Sequence, residues 1–396
     1  VKYVFLALAT VFAVLGIQVA WFMDPIVTVA RVISLNLIPG ATLLVDKAGI
    51  WAIQTFHLYG GFYDFYRDLK STLLGVNVHF FATSLVTFAV FIVIVLLSWF
   101  VLRFWCRVLC PLGALYALVS SQALLERKTK CTSCGVCHRR CRTGAIKTDA
   151  SYVKSECVLC MDCVYDCVAG STEFVFRKRK PMLKSSAGEK GVSRAEFLFL
   201  MLGSFLSLGW AGKSVPRKKF PSVIRPPGAQ YEERFLNKCV RCGNCMKVCI
   251  TNGLQPSVGT SGWQGLWTPE LVPEIGYCEY NCTLCGNVCP TGAIPKLPVE
   301  QKRRWRLGVA EIDRNICIAW KDRQECIVCE EHCPVADKAI KTEEEIVDGR
   351  RIFLPSVDPE LCIGCGICQN KCPVRPVRAI RVTTYLGEYR PWPLMR

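Results

Sequence analysis

Cysteine spacing constrains this chain more than anything else in it. Between Cys131 and Cys167 the sequence reads C-T-S-C-G-V-C-H-R-R-C, then fifteen residues, then C-V-L-C-M-D-C-V-Y-D-C. Each half has the spacing C-x2-C-x2-C-x3-C. Three thiolates on a tight loop can hold three irons of one cubane, and the fourth, opening a short helix, reaches back to the other cubane. The spacing therefore predicts one ligand set of Cys131, Cys134, Cys137 and Cys167, and a second of Cys157, Cys160, Cys163 and Cys141.

Such a tandem is the pattern of a bacterial-type two-cluster ferredoxin, with structural zinc as the competing reading. The chain holds 26 cysteines in 396 residues. Disulfide frameworks belong to small secreted domains with irregular spacings, whereas 24 of these 26 fall into six sets of four. The four further runs are Cys239, Cys242, Cys245 and Cys249; Cys278, Cys282, Cys285 and Cys289; Cys317, Cys326, Cys329 and Cys333; and Cys362, Cys365, Cys368 and Cys372. Longer gaps at Cys278-x3-Cys282 and Cys317-x8-Cys326 suit inserted loops and remove no ligand. Three runs close with Cys-Pro and a following Ala-Ile, and the first domain carries the related C-R-T-G-A-I at 141–146. This internal repeat predicts a unit of cluster loop, helical turn and short strand, too small to bury a core without metal. Six [4Fe–4S] clusters are expected. The direct link from C-P-T-G-A-I through Ala310-Glu311-Ile312-Asp313 to Cys317 favours a nested arrangement, the second run paired with the third and the first with the fourth. Consecutive pairing is the rival.

Hydrophobic content is 51%, with the apolar residues clustered towards the N-terminus. Residues 3–23 carry no charge, which is enough to cross a bilayer, and 71–102 form a second such span. The stretch 26–70, with Trp51, Phe56, Phe62, Tyr63, Phe65 and Tyr66, reads as interfacial or re-entrant helices. Residues 103–194 contain 17 Lys+Arg against 7 Asp+Glu, and residues 1–102 contain 5 against 4. The positive-inside rule then places the first ferredoxin in the cytoplasm and the 24–70 loop outside, with RKRK at 177–180 touching headgroups. The expected architecture is α+β: a transmembrane and interfacial helical domain at 1–125, then a cytoplasmic two-cluster ferredoxin-like domain at 126–180. A linker at 181–228, with a third transmembrane helix at 196–212, leads to a periplasmic four-cluster domain at 229–396. The chain opens on Val1-Lys2, and residues upstream are expected to be missing. The formal charge of +17 counts no thiolate and no iron; six cubanes at about −2 each subtract roughly 12. Basicity is thus compensation for cluster charge, and no nucleic-acid partner is expected.

Four other residues are redox candidates. Cys106 and Cys110, in W-C-R-V-L-C-P-L-G, share a helix face where the second span ends; a redox thiol pair, ligands, a quinone-pocket wall and plain packing compete for them. His57 and His79 could hydrogen-bond a quinone or ligate haem b, or be ordinary satisfied polar groups. Cys134-Gly-Val-Cys137-His138 matches a c-type haem signature, but both sulfurs are committed to a cubane run.

A membrane helix running into W-C-R-V-L-C-P-L-G-A-L and then a two-cluster ferredoxin resembles the NapH/MauN/NosR-type membrane polyferredoxins. R-P-P-G-A-Q-Y-E-E-R-F-L-N-K-C-V-R-C-G-N-C, followed by four runs, resembles the NapG/MauM-type polyferredoxins. The two resemblances cover nearly the whole chain and imply a fusion of the pair, of the 4Fe-4S quinol dehydrogenase kind. V-S-R-A-E-F-L-F-L at 192–200 looks like a relic of the second family's twin-arginine signal, with Ala195 in place of an arginine. The first family usually has four spans and two C-x3-C-P motifs, of which one copy stands here. The resemblance implies an electron-transfer subunit in the bacterial inner membrane's respiratory chain. It would pass electrons from membrane quinol, or from a cytoplasmic donor, to a partner oxidoreductase or cytochrome subunit. No hydrolase triad, phosphate loop or nicotinamide fingerprint is visible, so substrate chemistry is expected on a partner. The alternative is an accessory protein supplying electrons during maturation of another metalloenzyme.

Overall fold

The computed structural model describes residues 2–14, 22, 24–57, 60–70, 81, 84–100, 103–121, 124–130, 134–176, 199, 223–229, 232–347 and 350–384. Contacts divide the chain into two compact units, Val1–Pro25 with Val90–Pro216, and Ile26–Ala89 with Arg217–Arg396. The apolar N-terminal third thus contributes to both units. Its helices are α1 (Lys2–Val14), a continuous helical run α2 (Pro25–Phe56), α3 (Gly61–Leu69), α4 (Ser84–Phe100) and α5 (Pro111–Ser121). Among the described residues, α2 is the one helix long and apolar enough to cross a membrane, by length and composition only. The stretch read as interfacial helices therefore begins as a single 32-residue run. The two expected spans are described as the shorter α1 and α4. The expected helix at 196–212, apart from Phe199, and the RKRK segment lie outside the described residues.

In the first unit, small side chains let helices approach closely: Ala7 and Ala114 are fully buried and Val11 and Ala117 nearly so. Pro111 opens α5 where a missing N–H costs nothing. At its far end the Ser120 hydroxyl donates to the carbonyls of Lys154 (3.2 Å) and Cys157. Glu156, half-buried beside that contact, accepts from Lys2 and faces Arg107 Nε at 3.5 Å. The segment leading into Cys157 is therefore tied to α5. An antiparallel ribbon of β1 (Leu125–Thr129) and β2 (Thr172–Phe176) brackets the two cysteine runs, with Thr129 opposite Thr172.

The second unit holds three further two-stranded antiparallel ribbons among its described residues: β3 (Leu254–Pro256) with β4 (Pro269–Leu271), β5 (Val309–Ile312) with β8 (Ile380–Thr383), and the hairpin of β6 (Ile340–Val347) and β7 (Arg350–Val357). The repeated Ala-Ile of the sequence is part of the buried apolar content beside the cysteines. Ala293, Ile294, Ala339, Ile340, Ala379 and Ile380 are all almost completely buried, as are Ala145 and Ile146 in the first unit. The strand expected after each pair forms at Ile340 and Ile380, shrinks to one bridge at Ile146 opposite Tyr152, and is absent at Ile294. Helix α3 folds back on α2: Tyr66 lies against Gly49 and bonds Asp46, which also receives Lys70 at 2.6 Å. Arg225, fully buried, donates twice to Glu232 and once each to Thr268 Oγ1 and the Pro269 carbonyl.

The loops that follow the first and precede the second C-terminal run meet without room for a side chain. A Cβ on Gly276 would lie 2.0 Å from the Thr251 carbonyl oxygen and 2.6 Å from Gly253 N. Both neighbours are backbone, so Gly276→Ala is expected to destabilise the cluster-loaded chain by about 1–3 kcal/mol, read as a lowered denaturation midpoint in anaerobic guanidinium titration.

Candidate metal centres

Each cysteine run folds as a loop closed by a helical turn of four or five residues: Val136–Arg140, Asp162–Tyr165, Asn244–Lys247, Leu284–Asn287, Val328–Glu331 and Ile367–Lys371. In four runs the residue after the second cysteine of the closely spaced triplet is left-handed: Gly135 (φ 72), Met161 (63), Gly243 (83) and Gly366 (82). That reversal turns the loop around a central space, and glycine takes it without strain. Every described cysteine is a free thiol.

The sulfurs gather in fours around hollows. One hollow is lined by Cys239, Cys242 and Cys245 with Cys289; another by Cys278, Cys282 and Cys285 with Cys249. A third has Cys317, Cys326 and Cys329 with Cys372, and a fourth Cys362, Cys365 and Cys368 with Cys333. Three sulfurs of one run are completed each time by the last sulfur of its partner run, the exchange that a two-cubane unit requires. The pairing is consecutive, first run with second and third with fourth, which corrects the nested expectation. The physical reason is strand β5: Ala310–Ile312 does not link the second run to the third but pairs with β8 beyond the fourth run. In the first unit Cys141, Cys157, Cys160 and Cys163 line one hollow together with Cys137. Of the other expected set, Cys131 lies outside the described residues; Cys134 is exposed, Cys137 buried and Cys167 half-buried.

The donor chemistry fits iron–sulfur cubanes. Four sulfurs gripping one zinc at 2.3 Å converge to about 3.8 Å of one another. Among the described residues no group of three or more Cys, His, Asp or Glu side chains converges on a single ion; the sulfurs surround space instead. Burial pushes the thiols up, Cys278 to about 11 and Cys285, Cys329 and Cys365 to about 12. Thiolates in these positions need the positive charge of bound metal to exist near neutral pH.

The four C-terminal hollows follow one another in a file. The first two share one core, with Cys239, Cys245, Cys249, Cys278, Cys285 and Cys289 packed together. The last two share another, with Cys317, Cys333, Cys362 and Cys372. The two cores meet where Cys278 N–H donates to the Cys365 carbonyl at 2.8 Å and Ile363 and Ile367 pack on Tyr277 and Tyr280. In order of run, the file is first, second, fourth, third.

Sequence reasoning missed two kinds of residue near sulfur. A threonine hydroxyl two residues after the last cysteine of a run sits by its Sγ at Cys141–Thr143 (3.6 Å), Cys249–Thr251 (3.5 Å) and Cys289–Thr291 (3.9 Å); the recurring C-x-T was visible in the sequence. Hydroxyls of Thr172 and Ser171 likewise pull the half-buried Cys167 thiol down to about 7. Buried guanidiniums form the second kind. Arg127 donates to Cys137 Sγ at 3.5 Å and to the Ala150 carbonyl at 3.0 Å, and burial pulls Arg241 down to about 10. No spacing rule marks these arginines.

Of the other candidates, Cys106 is exposed on a half-buried π-helical turn, Trp105–Leu109, and Cys110 is half-buried with its N–H on the Trp105 carbonyl at 2.9 Å. Gly113 presses on this turn, where a Cβ would stand 2.2 Å from the Cys106 carbonyl oxygen. His57 ends α2 in a left-handed conformation (φ 51) and is exposed; His79 lies outside the described residues.

Two family models, each described as a 4Fe-4S binding domain, match residues 83–131 and 355–378. The first spans α4, Cys106 and Cys110; the second spans the whole fourth C-terminal run. The methylamine utilization ferredoxin-type protein MauM of Methylorubrum extorquens is 37% identical over 164 residues, covering 40% of this chain and 72% of that protein. MauM of Paracoccus denitrificans is 37% identical over 163 residues, 40% of this chain and 70% of its own length. The ferredoxin-type protein NapG of Escherichia coli is 36% identical over 154 residues, 38% and 65%. No solved structure matches the chain. With its 4Fe-4S binding domains and this extent of similarity, the chain belongs to the family of MauM ferredoxin-type proteins.

Proposed function

We propose that the chain is a membrane-anchored polyferredoxin carrying six [4Fe–4S] clusters, a fusion of a NapH/MauN/NosR-type membrane half with a NapG/MauM-type four-cluster half. The observation that carries this reading is the exchange of each run's last sulfur with its partner run around four hollows. When bound, the clusters supply one-electron exchange at low reorganisation, with potentials set by charge, sulfur hydrogen bonds and burial. The chain's own part is to hold sulfur. Cys131, Cys134, Cys137 and Cys167, and Cys141, Cys157, Cys160 and Cys163, serve the first domain; the four sets named above serve the second. The C-x-T hydroxyls and buried guanidiniums supply positive potential at those sulfurs. Apolar α1, uncharged α4, the charge asymmetry and the apolar α2 support anchoring in the bacterial inner membrane, with quinol or a cytoplasmic donor on one side and a partner oxidoreductase or cytochrome on the other. In the file of C-terminal sites the first run lies beneath α2, which leaves the third-run site as the end facing that partner.

Anaerobically purified chain is expected to contain about 24 iron and about 24 acid-labile sulfide; tightly bound zinc without sulfide would establish the zinc reading instead. Iron counting also tests the pairing. Cys317→Ala and Cys372→Ala strike the same site, so their double variant should lose about four irons, as each single does. Cys239→Ala with Cys372→Ala should lose about eight, and nested pairing would reverse the two results. Finally, serine at both Cys106 and Cys110 is expected to lower quinol oxidation by at least about tenfold with all iron retained; unchanged turnover would make them packing residues.

A further inference from the structure

Arg31 is a charge placed in the apolar helix α2, and the helix does not carry it to solvent: the residue is 2% exposed. Its Nε donates to the Arg241 carbonyl at 3.0 Å, and its guanidinium lies over the Trp267 ring at 4.3 Å. Arg241 stands between Cys239 and Cys242 and is itself pinned to the carbonyls of Cys239 (2.9 Å) and Gln264 (2.7 Å). One turn further along, Ser34 Oγ donates to Asn244 Oδ1 at 3.2 Å and Leu35 packs on Gly243. A turn and a half of α2 thus covers the loop of the first C-terminal site. The acceptor at Arg31 Nε is a backbone carbonyl, whereas Arg225 faces the Glu232 carboxylate. The groups within range of Arg31's charge include Cys239 and Cys242.

We propose that Arg31, supplied from 210 residues away, sets the reduction potential of the site held by Cys239, Cys242, Cys245 and Cys289. The inference rests on the cluster reading above. Adding one electron takes a cubane and its four thiolates from about −2 to about −3, with no bond made or broken and no proton moved. A fixed positive charge in a low-dielectric surrounding favours the more negative state, so Arg31 raises that potential. The same contacts attach α2 to the four-cluster domain, so the helix and the charge at the first site arrive together.

The test is a dithionite titration of the full chain in detergent, followed by EPR, with Arg31→Gln and Arg31→Lys beside the wild type. In the glutamine variant, one cluster's reduced-to-oxidised ratio at fixed ambient potential is expected to fall at least tenfold, about 59 mV for a one-electron couple. The other waves should stay where they are. Lysine restores the charge and should bring the wave back, while hydrogen exchange over residues 26–37 reports whether α2 stays docked. Unmoved waves in a glutamine variant with full iron would overturn the proposal, as would a lysine variant shifted as far as glutamine. If glutamine costs the iron, the lysine variant alone decides: a wild-type potential supports the assignment and a tenfold fall defeats it. Wild-type chain without any cubane wave would defeat the cluster reading first, and Arg31's role with it.

Discussion

Buried sulfur is the constraint on which the C-terminal unit depends. Its cores mix cysteine with aliphatic side chains: the two larger ones contain Cys239, Cys245, Cys317, Cys362, Cys368 and Cys372 among their buried members. An aliphatic core is stable in water by itself, because apolar area leaves solvent. A core of thiols around hollows is not, since the hollows forfeit contacts and the sulfurs have weak partners. Metal reverses both terms by filling the space and turning neutral thiols into ligands, so folding and loading are one equilibrium. The Ala-Ile pairs belong to these same cores, so apolar packing sits beside the sulfur rather than apart from it.

Charge follows from the same constraint. A dianionic centre taken out of water has to find positive potential nearby, and the chain's excess of Lys and Arg over Asp and Glu supplies it. Among the described residues most Lys and Arg are at least partly exposed, where solvent screens them. The effective part is the small group of guanidiniums that are inside. Arg127 reaches a sulfur directly, whereas Arg31 and Arg241 reach carbonyls of a sulfur-bearing loop. Arg225 also serves as a structural strut, holding Glu232, Thr268 and Pro269 together.

Much of this was legible in the sequence, because ligand spacing is a local property. The three-plus-one sets, the helical turn closing each run and the buried Ala-Ile repeat all follow from residues a few positions apart. Pairing was not legible, because it depends on which strands meet across long separations. Val309–Ile312 reads equally well as the tail of the second run or the leader of the third. Its bonds to Ile380–Thr383 decide for the latter, and the first domain shows the same plan, with Leu125–Thr129 before its runs and Thr172–Phe176 after them. The part played by α2 was hidden for a different reason. A single arginine in an apolar helix looks like the end of a lipid-facing segment, and only the contacts to Arg241, Asn244 and Trp267 reveal a protein-facing one.

Consecutive pairing has a consequence that nesting would not. Two-site modules joined in sequence have one junction, and here it is the Cys278–Cys365 backbone bond with Tyr277 and Ile363 around it. Each inner site then has two neighbours and each end site has one, so the ends are distinguished by what covers them. The first end is closed by a helix of the same chain, through Arg31, Ser34 and Leu35. At the third-run end Ile327, between Cys326 and Cys329, remains 39% exposed. Among the described residues, the file therefore has one end built into the protein's own apolar segment and another whose sulfur loop is partly exposed. That asymmetry comes from a sulfur order along the file, first, second, fourth, third, which does not follow the order along the chain.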